Sequence, residues 1–316
     1  MKFNKIVMLC YSQSNFREQA GQRLRRLSEE IKALPEDSPE IPNHIADADC
    51  LLVETGISVD QTLISAAPRL KYIGVFGSGY GRVDVPYAAS RGITVCNTPG
   101  YSTEGVAEFV FGVILEHIRE IERAKAYARE GHYSGFGFRG EELRDKKFGI
   151  IGLGRIGRRI ADIAHKGFGA DVSYWSRNRK IDTEKTGVRY ADINAVLRHS
   201  DFLSINLAHV PATEKFINAD RIALIKPGAV VVHLAPVEVI DLDGLETRLK
   251  RADMTYILDH SDELSPDQAK RLARYRHCVM YPAIACITQE ARHAKLAMFL
   301  EDIQSYLEGE RPRYAI

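Results

Sequence analysis

The sequence predicts an α/β protein with two domains, each built on a parallel sheet. Short apolar runs alternate with helical segments along the chain, a pattern typical of strand–helix–strand units with right-handed crossovers. The length of 316 residues is enough for two domains of ordinary size. Near the middle of the chain, a glycine-rich turn separates an apolar run from a helical pattern. These three observations together indicate the fold class.

The first part of the chain has the elements of one parallel sheet. Apolar runs predict strands at residues 6–10, 50–54, 71–76 and 92–96, and the intervening patterns predict helices at 15–33 and 61–67. Glycines at 77, 79 and 81 follow the third of these strands. The carboxyl end of a strand is where open α/β sheets bind ligands, so this glycine cluster indicates a binding loop.

The rest of the chain predicts a second sheet and two long helices. A turn at 97–101 resembles a crossing between domains, and one helix is predicted over 103–130, followed by a polar loop at 131–140. Further strands are predicted at 148–151, 171–175, 202–207, 230–234, 255–258 and 278–280. The amphipathic helix predicted at 289–307 should return to the first domain.

The glycine-rich turn predicts a dinucleotide site. Gly152 permits a tight turn, Gly154 lets the backbone approach a pyrophosphate, and Gly157 lets the helix pack closely on the strand. The free N–H groups and positive dipole end of the helix then face the phosphates. The plainer alternative is a tight strand-to-helix turn without a ligand. The residues predicted to bind cofactor here are Gly152, Leu153, Gly154, Arg155, Ile156 and Gly157.

The end of the next strand predicts which dinucleotide is preferred. NAD enzymes usually place an acidic residue about 20 residues after the glycines, where it binds the adenosine ribose. Here that position holds Ser176, followed by Arg177 and Asn178. A hydroxyl and a guanidinium can bind a 2′-phosphate, which a carboxylate would repel. We therefore expect NADP(H) to be preferred over NAD(H), although a solvated basic loop would have the same sequence.

Composition excludes several other classes of protein. The net charge is +1 and the basic residues are dispersed, which argues against a nucleic-acid partner. Five widely spaced cysteines without a CxxC pair argue against a disulfide framework or a zinc site and favour a reducing compartment. The N-terminus is predicted to be a strand rather than a signal peptide, and no apolar run is long enough for a membrane span. These features favour a cytoplasmic protein.

Several blocks beyond the glycine turn resemble the D-isomer-specific 2-hydroxyacid dehydrogenases. They are residues 91–100, 106–108, 152–157, 201–213 and 226–230, in the order and spacing of that family. The resemblance implies two Rossmann-like or flavodoxin-like domains with the cofactor cleft between them. Residues 1–98 and 294–316 would form the flavodoxin-like substrate domain, and 99–293 the NAD(P)-binding Rossmann domain. It also implies a small-molecule substrate and a homodimer formed through the nucleotide domain.

The residues that carry the family's chemistry are replaced. The family uses an Arg to hold the substrate carboxylate, a His to move the proton and a Glu to orient that His. By the resemblance, Pro236 stands at the Arg position and Ala283 at the His position. Leu264 stands at the Glu position, with Glu263 one residue short of it. Pro has no hydrogen to donate to a carboxylate, so ordinary 2-hydroxy acid chemistry should be severely impaired.

Four side chains could replace the missing proton carrier. His209, His233 and His260 each lie at or just past the end of a predicted strand, where histidine is a natural acid or base near neutral pH. Tyr281 lies close to Ala283 and is a further possible donor. The alternatives are ordinary hydrogen-bonded histidines and a packed aromatic ring. No metal-ligand spacing accompanies these histidines, so no metal is expected. Cys286 is expected to be a small buried residue.

The resemblance also assigns further contacts. It places cofactor contacts at Ala208, Thr213, Ala235, Pro236 and Asp259. It places substrate contacts in two loops, at Glu54, Thr55, Gly56, Ser78, Gly79 and Tyr80. An acidic side chain at Glu54 would repel an anionic acid or attract a cationic amine, unless it only faces solvent.

Two functional hypotheses follow from the sequence. The first is an NAD(P)(H)-dependent oxidoreductase of this fold, preferring NADPH, with a rebuilt acid/base site and a carbonyl, imine or activated double bond as substrate. The alternative is a catalytically silent NADP(H)-binding regulator or scaffold, which would also lack the Arg and the His.

Overall fold

The protein is described here from a computed structural model. The structure describes residues 1–11, 21 and 23–316. The chain forms two compact units, one made of Met1–Tyr101 with Gln289–Ile316 and the other of Ser102–Thr288. Each unit contains one sheet whose strands are all parallel. The predicted α/β class with two parallel sheets is confirmed.

The first unit contains a five-stranded sheet. Its strands are β1 (Phe3–Cys10), β2 (Ser28–Pro35), β3 (Cys50–Glu54), β4 (Tyr72–Phe76) and β5 (Thr94–Cys96), in the spatial order β2-β1-β3-β4-β5. The helices between them are α1 (Ile41–Ile45), α2 (Gln61–Ser65) and α3 (Val85–Ser90). Strands β3 and β4 are almost wholly buried, because an α/β sheet is covered on both faces.

The helix predicted at 15–33 is wrong over its last part. Residues 12–20 and 22 lie outside the described residues, but Ser28–Pro35 forms β2 and pairs in parallel with β1. The residues of this segment are good helix formers. They form a strand because β1 offers its unpaired edge, and tertiary pairing overrides a weak local propensity.

The second unit contains a seven-stranded sheet. Its strands lie in the spatial order β12-β11-β10-β9-β6-β7-β8. They are β6 (Lys147–Ile151), β7 (Asp171–Trp175), β8 (Arg189–Tyr190), β9 (Phe202–Ile205), β10 (Val230–His233), β11 (Thr255–Leu258) and β12 (Cys278–Met280). Strand β6 lies between β7 and β9, so the strand order reverses there. In open α/β sheets this reversal is the place where nucleotides bind, beyond the carboxyl ends of the strands.

Helices cover both faces of this sheet. They are α4 (Thr103–Ile118), α5 (Ile121–Arg129), α6 (Arg155–Asp162), α7 (Ile181–Glu184), α8 (Ile193–His199), α9 (Ala219–Ala223), α10 (Leu242–Leu249) and α11 (Pro266–Leu272). Helix α6 continues into a wider π-helical turn at Ile163–Gly167. Two separate apolar clusters, one against each face, fill the space between helices and strands.

The single long helix predicted at 103–130 is instead two helices, α4 and α5. The chain bends at Glu120, which has a positive φ of 51°. The Glu120 carboxylate accepts a hydrogen bond from the Arg139 backbone N–H at 2.8 Å and also pairs with Arg123. These contacts stabilise a backbone conformation that costs a residue other than glycine roughly 1–3 kcal/mol.

The last helix returns to the first unit, as its amphipathic pattern predicted. Helix α12 (Gln289–Leu307) buries Phe299 and Ile303 among the side chains of the five-stranded sheet. The ring of Phe299 would lie 3.0 Å from a Cβ placed on Gly74 of β4, so a glycine lets the helix approach the strand this closely. No helix in the described ranges combines the length and the apolar character that crossing a membrane requires.

Candidate active site

The glycine turn between β6 and α6 has the geometry of a phosphate cradle. Gly152 has a φ of +95°, and a Cβ there would lie 2.8 Å from the carbonyl oxygen of Asn206. A Cβ on Gly157 would lie 2.2 Å from the carbonyl oxygen of Gly152. A Cβ on Gly154, by contrast, would meet nothing within 4 Å. Two glycines are therefore required by the fold, and the third leaves open space in front of the helix.

The start of helix α6 fits a bound phosphate group. Gly154 is its first flanking residue, and no side chain of the described residues caps the helix there. The first N–H groups of a helix lack partners within it, and the positive end of its dipole attracts an anion. Leu153 is buried in the core, while Arg155 is exposed at the helix start and Ile156 is half-buried. The residues present thus fit the pyrophosphate of a dinucleotide.

The loop after β7 is basic and contains no carboxylate. Ser176 is buried, and its hydroxyl donates to the backbone carbonyl of Asn178 at 2.7 Å. Arg179 forms a two-pronged ion pair with Glu184. Arg177 is exposed and has no ion pair or side-chain hydrogen bond with any residue that the structure describes. Of the two arginines, Arg177 is the one whose guanidinium is available to a ligand.

His260 lies between two carboxylates just beyond the end of β11. Its Nε2 is 3.9 Å from Oδ2 of Asp259, and its Nδ1 is 3.5 Å from Oε1 of Glu263. About a quarter of the His260 side chain is exposed. Burial raises the pKa of the Asp259 carboxyl and that of Glu263, although backbone N–H groups bonded to each act in the opposite direction. The imidazole therefore has a carboxyl group near each nitrogen while it stays accessible.

The same cluster contacts the two loops that contain the predicted Arg and His positions, Pro236 and Ala283. Oε2 of Glu263 accepts the backbone N–H of Val237 at 2.9 Å, next to Pro236. Oδ1 of Asp259 accepts the N–H groups of Ile284 and Ala285, both at 3.1 Å, in the loop that contains Ala283. Glu263 thus reaches the loop of the predicted Arg position. The sequence placed Glu263 one residue short of the family's Glu position but could not show this contact.

His233 is not placed as a proton carrier. Its side chain is fully buried, Nδ1 lies 2.6 Å from the Tyr256 hydroxyl, and Nε2 lies 3.4 Å from the carbonyl oxygen of Pro236. Burial lowers the pKa of His233 to about 4. The prediction of an acid/base role for His233 is corrected on this geometry, because a ring without access to solvent or substrate cannot deliver a proton. It is a neutral structural histidine.

The Tyr281 side chain is bound to residues of helix α4. Its hydroxyl donates to Oε2 of Glu116 on helix α4 at 2.7 Å, and its ring packs edge-on against Phe109. Burial and the Glu116 carboxylate raise the pKa of Tyr281 to about 12. Tyr281 lines a cavity of about 530 Å³ together with Asp201 and Thr255, which lie at the amino ends of the strands. The Tyr281 hydroxyl is thus bonded to the Glu116 carboxylate in this structure, and its role as a proton donor to substrate stays a prediction.

His209 lies in a separate exposed loop after β9. Its Nε2 is 2.7 Å from Oε2 of Glu214. The Thr213 hydroxyl donates to the Ala208 carbonyl at 2.7 Å and accepts the Val210 N–H at 2.9 Å, which fixes the shape of the loop. His209 has one nearby carboxylate, whereas His260 has two. The His209 side chain is also more exposed than that of His260.

The two predicted substrate loops lie together at the carboxyl edge of the five-stranded sheet. The Thr55 hydroxyl lies 3.5 Å from the carbonyl oxygen of Phe76, and a Cβ on Gly77 would overlap it. Glu54 Oε2 accepts the backbone N–H of Tyr11 at 2.9 Å. Beyond these contacts, the exposed residues of the loops are Thr55, Gly56, Ser78, Gly79 and Tyr80.

Comparison with known proteins identifies the family. A model described as the NAD binding domain of D-isomer specific 2-hydroxyacid dehydrogenases matches residues 111–285. The glyoxylate reductase of Thermococcus litoralis is 33% identical over 277 residues, covering 85% of this chain and 83% of that protein. The chain belongs to the D-isomer specific 2-hydroxyacid dehydrogenase family. It is an NAD(P)-dependent oxidoreductase, as the sequence predicted.

Two solved structures show how far the family fold extends along the chain. The D-lactate dehydrogenase from Aquifex aeolicus, solved with NAD and lactic acid, has a TM-score of 0.85 at 24% identity, with 96% of each chain covered. An acyclic imino acid reductase solved with NADPH and D-Arg has a TM-score of 0.83 at 26% identity, with 99% of each chain covered. The family fold therefore accounts for nearly all of the chain.

Two hydrogen-bond partners determine what His233 and Tyr281 can do. Tyr256 and Glu116 hold His233 and Tyr281, and neither was predicted. A signal for the first pair was present, because Tyr256 interrupts an apolar strand next to one that ends in His233. The bond between Tyr281 and Glu116 spans 165 positions and has no local signal.

Proposed function

We propose that this protein is an NADPH-dependent reductase of a C=N bond, with His260 as its proton donor. The observation that carries the proposal is the position of His260 between Asp259 and Glu263, beside the loops that hold Pro236 and Ala283. A histidine with a carboxylate partner is the acid/base pair that the family is expected to use. Here the same pair of residue types comes from one short segment after β11.

The basic loop after β7 supports the preference for NADPH. A 2′-phosphate carries negative charge that the Arg177 guanidinium can bind with charge-assisted hydrogen bonds. The loop has no carboxylate to accept hydrogen bonds from an unphosphorylated ribose. The cofactor-binding set predicted around this loop and the glycine turn is retained in the proposal, including Ala208, Thr213, Ala235 and Asp259.

An imine is the substrate class that fits the missing residues best. Pro236 cannot hold a carboxylate as an arginine does, and Glu54 in a predicted substrate loop favours a cationic group over an anion. The acyclic imino acid reductase of this fold was solved with NADPH and D-Arg, which shows that the fold accommodates a reductase of C=N bonds. A carbonyl or an activated double bond is the less favoured alternative.

Some residues of the chain would bind the cofactor, and others would protonate the substrate. When bound, the nicotinamide supplies a hydride to the reacting carbon. The N–H groups at the start of α6 hold the phosphates, and His260 donates a proton to the substrate nitrogen. The carboxylates of Asp259 and Glu263, 3.9 Å and 3.5 Å from the two ring nitrogens, would complement the positive charge of its protonated form. Glu263, whose side chain is about one-third exposed, would also return a proton from solvent to the ring.

A second candidate is the reduction of a small oxo acid such as glyoxylate. The 33% identity to a glyoxylate reductase favours it, and the replaced Arg and His oppose it. The two candidates differ in the substrate group that must be bound. A purified enzyme that consumes NADPH faster with glyoxylate than with any imine would favour the second.

The test is a screen for NADPH consumption against matched ketone, oxo acid and imine substrates. With the best substrate, His260→Ala should lower kcat by roughly 10²–10⁴, the usual contribution of a general acid. His209→Ala is the matched control and should leave kcat within a factor of about two. Unchanged turnover in His260→Ala would remove His260 from the mechanism. Tight NADPH binding without turnover on any substrate would favour the silent regulator instead.

The roles of the two units are part of the same proposal. We assign substrate binding to the unit that holds the Glu54 and Ser78 loops, which corresponds to the predicted domain at 1–98 and 294–316. Nucleotide binding is assigned to the other unit, predicted as 99–293. We also propose a homodimer formed through the nucleotide unit, which sedimentation of the purified protein would test.

A further inference from the structure

The segment Pro312–Ile316 is bound to the end of strand β5 in the first unit. Ala315 pairs with Cys96 as an antiparallel bridge, and the Ile316 N–H donates to the Val95 carbonyl at 2.9 Å. The Asn97 N–H points to the Tyr314 carbonyl at 3.4 Å. Behind the segment, Oδ1 of buried Asp302 on α12 accepts the Tyr314 N–H at 3.4 Å. Backbone contacts to β5 on one side and the Asp302 side chain on the other therefore hold this segment.

Asn97 also holds the loop of Ser78 and Gly79 from its other side. Its side-chain amide donates to the Ser78 carbonyl at 2.7 Å, and only 7% of Asn97 is exposed. The next residue, Thr98, donates its N–H to the Gly77 carbonyl at 2.9 Å and accepts the Ser78 hydroxyl at 3.0 Å. Three hydrogen bonds thus join residues 97 and 98 to this loop, and the loop has no helix or strand of its own.

We propose that Pro312–Ile316 is a strap that sets the position of the Ser78–Gly79 loop, with Asn97 as the positioning residue. Asn97 is bound by the strap through its backbone and binds the loop through its side chain. A shift of the strap therefore moves the residue whose amide fixes the Ser78 carbonyl. Asn97 does not itself touch the reacting atoms. The exposed residues of the loop gain a fixed position from this arrangement, whatever substrate they contact.

The first test loosens the strap by one hydrogen bond. Ile316→Pro removes the N–H that donates to Val95, while Ile316→Ala keeps it and serves as the matched control. Ile316 is 45% exposed, so neither change opens the core. Hydrogen exchange is then measured at the Asn97, Thr98 and Gly152 amides. Each is bonded in the folded protein, and Gly152, bonded to the Trp175 carbonyl, reports on the other unit.

The exchange rate of the Thr98 amide shows whether the strap acts on the loop. We expect Ile316→Pro to accelerate exchange at both Asn97 and Thr98 by about tenfold, which corresponds to the loss of about one hydrogen bond. Exchange at Gly152 should not change, and Ile316→Ala should match the unaltered protein. Acceleration at Asn97 with Thr98 unchanged would overturn the proposal, because the strap would then not act on the loop.

A second test replaces the positioning side chain. Asn97→Asp has the same shape but lacks the amide donor toward Ser78. With the best substrate from the screen, KM should rise by about tenfold while kcat changes by less than about twofold. The affinity for NADPH should be unchanged, since the predicted nucleotide residues lie in the other unit. An equal KM in the two proteins would overturn the role of Asn97. If no substrate is found, the exchange measurement decides alone.

Discussion

The Tyr256 hydroxyl and Nδ1 of His233 lie 2.6 Å apart within the seven-stranded sheet. The two residues lie on adjacent strands, β11 and β10, and both are fully buried. The Pro236 carbonyl near Nε2 can only accept a hydrogen bond, so Nε2 carries the proton of the neutral ring. Nδ1 then accepts from the Tyr256 hydroxyl. Because of this bond, the buried histidine has a hydrogen-bond partner, which reduces the free-energy cost of burying its polar ring in the sheet.

The neutral state of His233 predicts a pH dependence of stability. Its pKa is about 4 in the folded protein and near 6.5 in the unfolded chain. Between these values the unfolded state binds more protons, so the free energy of unfolding falls as the pH falls through this window. From about pH 7 to about pH 4, the unaltered protein should lose about 3 kcal/mol more than His233→Asn. Urea unfolding at a series of pH values measures this difference.

Tyr256→Phe is the control for that experiment. It removes the hydroxyl but leaves the imidazole buried, so the pH dependence should persist while stability falls by roughly 1–3 kcal/mol at all pH values. Equal pH slopes in the unaltered protein and in His233→Asn would contradict the assignment of a buried neutral ring.

Two glycines of the turn, Gly154 and Gly157, should respond differently to alanine. Gly154→Ala places its Cβ in open space at an ordinary φ of −79°, so the melting temperature should not fall. The methyl group would occupy the space left for the pyrophosphate, and the Kd for NADPH should rise by at least about tenfold. Gly157→Ala should instead destabilise the fold by on the order of 3 kcal/mol, because its Cβ would overlap the Gly152 carbonyl.

Gly112→Ala on helix α4 is the matched control for the glycine series. Its Cβ also meets nothing within 4 Å, and it lies in a helix interior, where alanine is favoured over glycine by about 1 kcal/mol. We expect slightly higher stability and an unchanged Kd for NADPH. A Gly154→Ala protein that binds NADPH as tightly as the unaltered one would argue against the phosphate site. Calorimetry and fluorescence titration supply the two measurements.

The sequence predicted the fold and the tight turn between β6 and α6 well because both depend on local spacing. Gly152, Gly154 and Gly157 are close in sequence, and their roles follow from backbone geometry alone. The strand at Ser28–Pro35 was mistaken for a helix because its pairing with β1 is a contact with a distant segment. Likewise, three histidines at one sheet edge looked equivalent in the sequence. Only His260 is both exposed and next to two carboxylates, and that difference depends on tertiary contacts.

Of the two arginines after β7, only Arg177 should affect coenzyme choice. Arg177 has no ionic partner among the described residues, whereas Arg179 is bound to Glu184. Arg177→Ala should raise the Kd for NADPH by at least about tenfold, because a charge-assisted hydrogen bond contributes about 1.5–3 kcal/mol. The Kd for NADH should stay the same. Arg179→Ala should leave both values nearly unchanged, and equal losses for both coenzymes in Arg177→Ala would exclude a 2′-phosphate contact.

Asp302 on helix α12 should limit the stability of the first unit at neutral pH. Only 2% of Asp302 is exposed, one carboxylate oxygen has no hydrogen-bond partner in the described structure, and burial raises the pKa of Asp302 above its ordinary 3.8. Between the unfolded and folded pKa values the folded state binds more protons. The free energy of unfolding therefore falls as the pH rises through that window, and the loss persists at neutral pH.

Asp302→Asn should for this reason raise the melting temperature at neutral pH. Asparagine carries no charge and keeps an oxygen that accepts the Tyr314 N–H. Asp302→Ala is the matched comparison. It also removes the charge but leaves that N–H without its acceptor, which costs roughly 1–3 kcal/mol. The order of melting temperatures should be Asn above Ala, and the advantage of Asn over Asp should shrink as the pH is lowered towards about 3.8. A lower melting temperature for Asn than for Asp at neutral pH would show that the carboxylate stabilises the folded unit.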